Sequence, residues 1–349
     1  MHCDNGQELP SRPIQASATA EIDTPKDHVM SEIHLGCPPK LSGSFISHFS
    51  FSLPQDVEYI GSKNEYQVVG NSNQNQEVSL DDDGDLALPR RSKYSKDKLL
   101  VSIQHNITSS VSNVGLQVWR AELVLSDFVL HKMFTTSEFD GIVAVELGAG
   151  TGLVGMLLAR VAKTVFLTDH GVEILENCDR NVHLNSKMLP SKDSVYVREL
   201  DWKDSWPPNQ GNSASSNSYA WDLSEIKQLE TASLLLAADV IYSDDLTDAL
   251  FTTLERLMSH GLNKVLYLAL EKRYNFSLDD LDVVANGYSR FRSYVTENTD
   301  YEERYEGQNG RVCGFVGTRI DLMEIPQYAD GYDRGQDLEL WEIRYVREV

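Results

Sequence analysis

The chain of 349 residues carries 53 acidic and 31 basic side chains, for a formal net charge of −22 and a pI near 4.7. Such a surface repels a phosphate backbone, which argues against direct nucleic-acid binding and suits a basic protein partner, although solubility alone accounts for the charge equally well. The scattered cysteines Cys3, Cys37, Cys178 and Cys313 contain no CxxC pair, so they offer neither a disulfide framework nor a zinc site, and no metal is expected.

The N-terminus, Met1 to Gly6, lacks a basic flank followed by an apolar core, and no apolar run approaches the length of a membrane span. A reducing compartment, nucleus or cytoplasm, and no membrane contact are expected. Residues 1–98 form a first region, polar and irregular. Short apolar alternations at Val29 to Leu35 and Phe45 to Leu53 suggest a pair of strands. The stretch from Gly61 to Gln76, rich in Asn, Gln, Ser and Gly, and the acidic run Asp81 to Asp85 bury too little apolar surface to offset chain entropy, so disorder is expected there. The basic cluster from Arg90 to Lys98 reads as a solvated linker, with a weak nuclear signal as the alternative.

Residues 99–349 form a second region with an α/β pattern. Leu99 to Ile103 is strand-like. Trp119 to Met133 is helical, with Ala121, Val124, Leu125, Phe128 and Val129 on one face. Ile142 to Leu147 is an apolar run typical of a buried strand. Gly148, Gly150 and Gly152 follow at alternate positions, ahead of Leu153, Val154, Met156, Leu157 and Leu158 at helical spacing. The pattern is strand, tight glycine turn, helix. Thr164 to Asp169, Val195 to Leu200, Leu234 to Tyr242 and Val265 to Leu270 read as further strands. Helices at Glu173 to Asn185 and Asp244 to Met258 alternate with them, and Pro207 to Tyr219 is a loop. This alternation predicts a mostly parallel, Rossmann-like sheet with helices on both faces. Phe291 to Val295, Val312 to Ile320 and Leu338 to Val346 look like strands with little helix between them, which predicts an antiparallel C-terminal edge.

A glycine turn at the carboxyl end of a strand is where open α/β sheets bind cofactors. Two cofactor classes use one. Gly150 to Gly155 spells the dinucleotide string GxGxxG, but its first glycine comes two residues after Gly148 has begun the turn. Glu146, Gly148, Gly150 and Gly152 instead fit an acid followed by GxGxG, the register in which backbone amides hold the methionine end of S-adenosyl-L-methionine. Asp169, ending the next strand, suits the ribose hydroxyls of either cofactor. Asp201 and Trp202 favour the second class, because an indole face packs on a purine while a carboxylate reads its amino edge. Asp239-Val240-Ile241-Tyr242 closes the fourth strand, over the reactive end of such a ligand.

Together these motifs resemble the seven-strand, adenosylmethionine-dependent protein lysine methyltransferases of family 16. The marks are the acid with GxGxG at Glu146 to Gly152, the earlier Trp119, the segment Leu200-Asp201-Trp202, and Asp-x-x-Tyr at Asp239 to Tyr242. The resemblance spans residues 99–349 and implies a class I methyltransferase domain acting as a protein N-lysine methyltransferase. It implies that Trp119, Gly148, Ala149, Gly150, Asp169, Trp202 and Ala238 line the cofactor site, and that Asp239 and Tyr242 border a lysine channel. Glu146, Gly152 and Asp201 belong to the cofactor group by their place in the motifs. It further implies an intracellular, nucleic-acid-binding protein as substrate, chaperones as partners, and S-adenosyl-L-homocysteine as product. A monomer is expected. The loop from Pro207 to Tyr219 departs from the shorter family pattern.

Methyl transfer to lysine is an in-line displacement at a sulfonium, so alignment matters more than acid–base chemistry. A lysine amine of pKa about 10.4 must first lose its proton. Desolvation favours the neutral amine and a nearby anion opposes it, so Asp239 is expected to position the amine rather than act as a strong base. Competing readings are a small-molecule or nucleic-acid methyltransferase, the latter disfavoured because Asp239 to Tyr242 carries no proline pair before its aromatic, a non-catalytic cofactor-binding module and a nicotinamide oxidoreductase.

Overall fold

The structure, a computed structural model, describes residues 28–31, 33, 43–54, 98–208, 218–277, 282–299 and 313–347. The stretch from Gly61 to Gln76, the acidic run Asp81 to Asp85, and the basic cluster up to Lys96 lie outside the described residues, as does most of the Pro207 to Tyr219 loop.

Strands β1 (His28–Met30) and β2 (Ser44–Ser52) precede β3 (Lys98–Asn106) and β4 (Thr108–Ser110). Helix α1 (Arg120–Thr135) leads into the βα core. That core comprises β5 (Val143–Leu147), α2 (Leu153–Leu158), β6 (Thr164–Asp169), α3 (Val172–Leu184) and β7 (Val195–Glu199). It continues through α4 (Leu223–Thr231), β8 (Leu234–Ala238), α5 (Asp244–Met258) and β9 (Val265–Glu271). Then come the short strands β10 (Asn275–Ser277) and β11 (Asp282–Val284), α6 (Asn286–Tyr294), β12 (Val295–Glu297), β13 (Gly314–Ile320) and β14 (Leu338–Val346).

Eight strands make one sheet in the order β7-β6-β5-β8-β9-β14-β13-β12. β5 to β9 are parallel, and β14 runs antiparallel to both β9 and β13. This is the class I methyltransferase arrangement, with β12 as an eighth strand added to the expected seven. The core strands are apolar on both faces. Ala144, Val165, Leu167, Leu236 and Ala269 pack toward α1, α2 and α3. Val145, Leu147, Phe166, Leu235 and Leu268 pack toward α4, α5 and α6. Period-two alternation between two apolar layers explains why these segments read as continuous apolar runs.

Successive strands run outward from β5 through β6 to β7 on one side, and from β8 to β9 on the other. The sheet therefore reverses between β5 and β8, where open α/β sheets leave a crevice at the carboxyl ends of their strands.

Two expectations change. Phe291 to Val295 is mostly helix: α6 runs to Tyr294, and its buried Phe291 packs edge-on against Trp341, 5.4 Å between ring centroids. The fourth strand ends at Ala238, so Asp239 to Tyr242 belong to the turn after it. The expected antiparallel C-terminal edge is present: β13 and β14 form an antiparallel hairpin at that end of the sheet, with β12 outermost. The two N-terminal alternations do form strands, each paired with a later one: β1 with β4, and β2 with β3. The free side of β3 is closed by a ladder of buried asparagines from α3 and its end. Asn181 Oδ1 accepts from Gln104 N–H at 2.7 Å, and Asn185 Oδ1 accepts from Ser102 N–H at 2.9 Å. Their amide groups return bonds to the carbonyls of the same two residues. A sheet edge that would otherwise invite pairing is thereby satisfied.

Candidate active site

The turns after β5 and β8 form the floor of a cleft of about 480 Å³. Gly148 and Gly150 hold φ of 66° and 51°. A Cβ on Gly148 would stand 2.7 Å from Val240 Cγ1 and 3.4 Å from the Trp202 ring, so conformation and space both demand glycine. Two bonds fasten the turn. Ala149 N–H donates to the Thr168 carbonyl at 2.9 Å, and Gly150 N–H donates to Asp169 Oδ2 at 2.8 Å. Asp169 Oδ1 accepts from His170 N–H at 2.7 Å. Burial pushes the Asp169 carboxyl up, against the pull of these two donors.

Glu146 is 1 % exposed, and its Oε2 accepts from Gly155 N–H at 2.8 Å. It ties the end of β5 to the first turn of α2 and still reaches the cleft wall. Burial, then the nearby Glu122 charge, pushes its carboxyl well up. Asp201 and Trp202 stand on the β7 side of the cleft, with Asp201 Oδ2 3.6 Å from His170 Nδ1.

On the opposite wall, Trp119 precedes α1 and donates from Nε1 to the Val114 carbonyl at 3.1 Å. The Arg273 guanidinium lies 4.6 Å from the centre of its ring and pairs with the Asp239 carboxylate. Asp239 is the sole non-glycine residue at positive φ, 56°, among the described residues. Strain of this kind is held in place by its surroundings and gathers at functional sites. Its N–H donates to the Ala269 carbonyl at 2.9 Å, which pins the turn to β9. Tyr242 stands 42 % exposed at the mouth. Burial of its hydroxyl, then the charges of Asp169 and Asp239, pushes it up to about 12.

A family model described as lysine methyltransferase matches residues 95–284. The chain belongs to the lysine methyltransferase family. It is 34% identical to methyltransferase-like protein 22 of Mus musculus over 95% of this chain and 86% of that one. The Homo sapiens protein of that name is 35% identical over 76% of this chain and 71% of its own. The protein N-lysine methyltransferase METTL21A of Mus musculus is 36% identical over 46% and 62% of the two chains. A solved magnesium protoporphyrin IX methyltransferase from Synechocystis is a distant likeness, with a TM-score of 0.34 at 10% identity over 64% of this chain and 83% of that one.

The family's motif residues converge on the one cleft. Trp119, Glu146, Gly148, Ala149, Gly150, Asp169, Asp201, Trp202, Ala238, Asp239 and Tyr242 all line it. Gly152 does not: at φ 80° it caps the start of α2 behind the turn. Among the lining residues that sequence reasoning missed are Gln117 and Glu122. Gln117 is 1 % exposed and donates its amide N–H to the Val29 carbonyl at 3.0 Å, joining the N-terminal strand to the cleft wall. Glu122 is an acid within an apolar helical run, which was its signal, and its Oε1 accepts from the Thr151 hydroxyl at 2.5 Å. Burial pushes the Glu122 carboxyl up to about 7.

Proposed function

We propose that the protein transfers a methyl group from S-adenosyl-L-methionine to lysine side chains of protein substrates. One observation carries the reading: the glycine turn and the strained Asp239 meet at the sheet's switch point, in one cleft sized for a small ligand. The residues fit the cofactor. Gly148 leaves no room for a side chain, which brings backbone rather than Cβ to the cleft surface. Glu122, Glu146, Asp169 and Asp239 surround the space with carboxylates, which suits a cationic ligand.

In this reading the backbone at Gly148, Ala149 and Gly150 would hold the methionine end, with Gly152 shaping the turn. Asp169 would hold the ribose hydroxyls, and Trp202 with Asp201 the adenine. Glu146 would keep the turn in register from behind, while Trp119 and Ala238 would flank the methyl end. When bound, the cofactor supplies an electrophilic methyl whose leaving group is a neutral thioether.

Asp239 and Tyr242 would then act on the acceptor. The Asp239 carboxylate draws a lysine ammonium toward the cleft, a task it now performs on Arg273. The Tyr242 hydroxyl, pushed up to about 12, keeps its proton at neutral pH and donates a hydrogen bond from the mouth. Desolvation between these groups favours the neutral amine, the form that reacts. The net charge of −22 supports a basic substrate segment.

Purified protein incubated with labelled adenosylmethionine and a cell extract should label a protein band that Asp239→Ala does not. Cofactor binding measured by calorimetry without any labelled protein would favour the binding-module reading. Loss of both would remove the cofactor assignment.

A further inference from the structure

Glu122 has no task in the mechanism above, yet it is built into the cleft wall. It lies in the first turn of α1, 6 % exposed. The Thr151 hydroxyl and backbone groups at Trp119 and Leu153 hydrogen-bond its carboxylate. Among the described residues, no lysine or arginine pairs with it. The neighbouring cations are engaged elsewhere: Arg120 pairs with Glu271, and Arg273 pairs with Asp239. Its other charged or titratable neighbours are Glu146 on β5, the Cys178 thiol on α3 and Asp239 after β8, with Asp169 of β6 beyond Glu146. A buried carboxylate held by neutral donors, beside a cleft read as the site of a cation, is a charge in search of its counterpart.

The methyl donor and its demethylated product differ by one methyl and one charge. The donor's sulfur is cationic and the product's is neutral, while adenosine and amino acid are shared. A carboxylate in the wall between Trp119 and Glu146 acts on that difference alone. We propose that Glu122 makes the cleft favour the cationic methyl donor over its neutral product, so that the product leaves once the methyl has gone. The proposal rests on the reading of the cleft as an adenosylmethionine site.

Burial places the ionisation of Glu122 near neutrality, at about 7. Burial, then the Glu122 charge, pushes the Glu146 carboxyl well up, so the two acids titrate as a coupled pair. The Glu122 charge therefore switches on across the neutral range. The preference for the donor should be weak in mild acid and strong in mild base. The neutral product should be nearly indifferent.

The test is calorimetry of the full chain with adenosylmethionine and with adenosylhomocysteine at about pH 6 and about pH 8.5. The ratio of product Kd to donor Kd should rise roughly tenfold between the two in the wild type, through the donor. In Glu122→Gln it should stay low and flat. Thr151→Val keeps the carboxyl but removes a donor to its charged form, so the midpoint of the rise should move to higher pH. A Glu122→Gln protein with the wild-type ratio at both pH values overturns the proposal. If that variant does not fold, an unmoved midpoint in Thr151→Val overturns it. A wild type that binds neither ligand removes the cofactor reading itself, a separate result.

Discussion

Arg273 bridges two walls of the cleft: its guanidinium lies over the Trp119 ring at 4.6 Å and pairs with Asp239. The cation at the acceptor side is thus already matched to the residue assigned to an incoming ammonium. Asp239→Ala should lower methyl transfer about 100-fold or more, because misplacing an acceptor costs that much, while adenosylmethionine Kd stays within about threefold. Equal transfer by the variant and the wild type would remove Asp239 from the reaction.

Gly148 faces Val240 and Trp202 with no space for a methyl group. Gly148→Ala adds a left-handed strain of about 1–2 kcal/mol to a contact at 2.7 Å. Calorimetry should show adenosylmethionine affinity reduced at least about tenfold, an amount set by turn displacement of about 1.4 kcal/mol or more. Unchanged affinity would show that the turn does not touch the ligand.

The buried acid Glu122 also makes stability depend on pH. Its carboxyl rises from 4.5 to about 7 on folding. A raised acid costs nothing below its unfolded value; the cost grows between about 4.5 and about 7 and is constant above, reaching roughly 3 kcal/mol. Urea unfolding should therefore show Glu122→Gln more favourable, relative to wild type, at about pH 8 than at about pH 4.5. An equal difference at both pH values would refute the buried charge.

Asp127 holds the C-terminal segment to α1. Its carboxylate, 0 % exposed, accepts from Tyr328 N–H at 2.9 Å, Ala329 N–H at 2.7 Å, the Tyr332 hydroxyl at 2.6 Å and Arg334 at 2.8 Å. Asp127→Asn replaces an acceptor with a donor among donors and leaves Arg334 without its charge partner. It should cost about 3–5 kcal/mol in urea unfolding, and a loss below about 1 kcal/mol would contradict the network.

The core strands and the cleft were legible because their causes are local. Runs such as Leu234 to Ala237 are apolar on both faces, and the alternating glycines at 148, 150 and 152 announce a backbone approach. Helix α4 was missed although Asp222 and Glu225 form a capping box, a signal present in the sequence. Phe291 was read as strand because aromatics favour strands, whereas its real partner, Trp341, lies fifty residues away in sequence. The asparagine ladder from Asn181 and Asn185 to β3, and the insertion of β14 between β9 and β13, depend wholly on such distant partners. Glu122 was missed: an acid in an apolar helical run is a faint signal, and only the folded cleft gives it a meaning.

The most direct measurement is amino-acid analysis of protein labelled from methyl-tritiated adenosylmethionine by the purified enzyme, with Asp239→Ala alongside. The account predicts label in methylated lysine, at background level in the variant. Label in another amino acid, or equal methyl-lysine from both proteins, would contradict it.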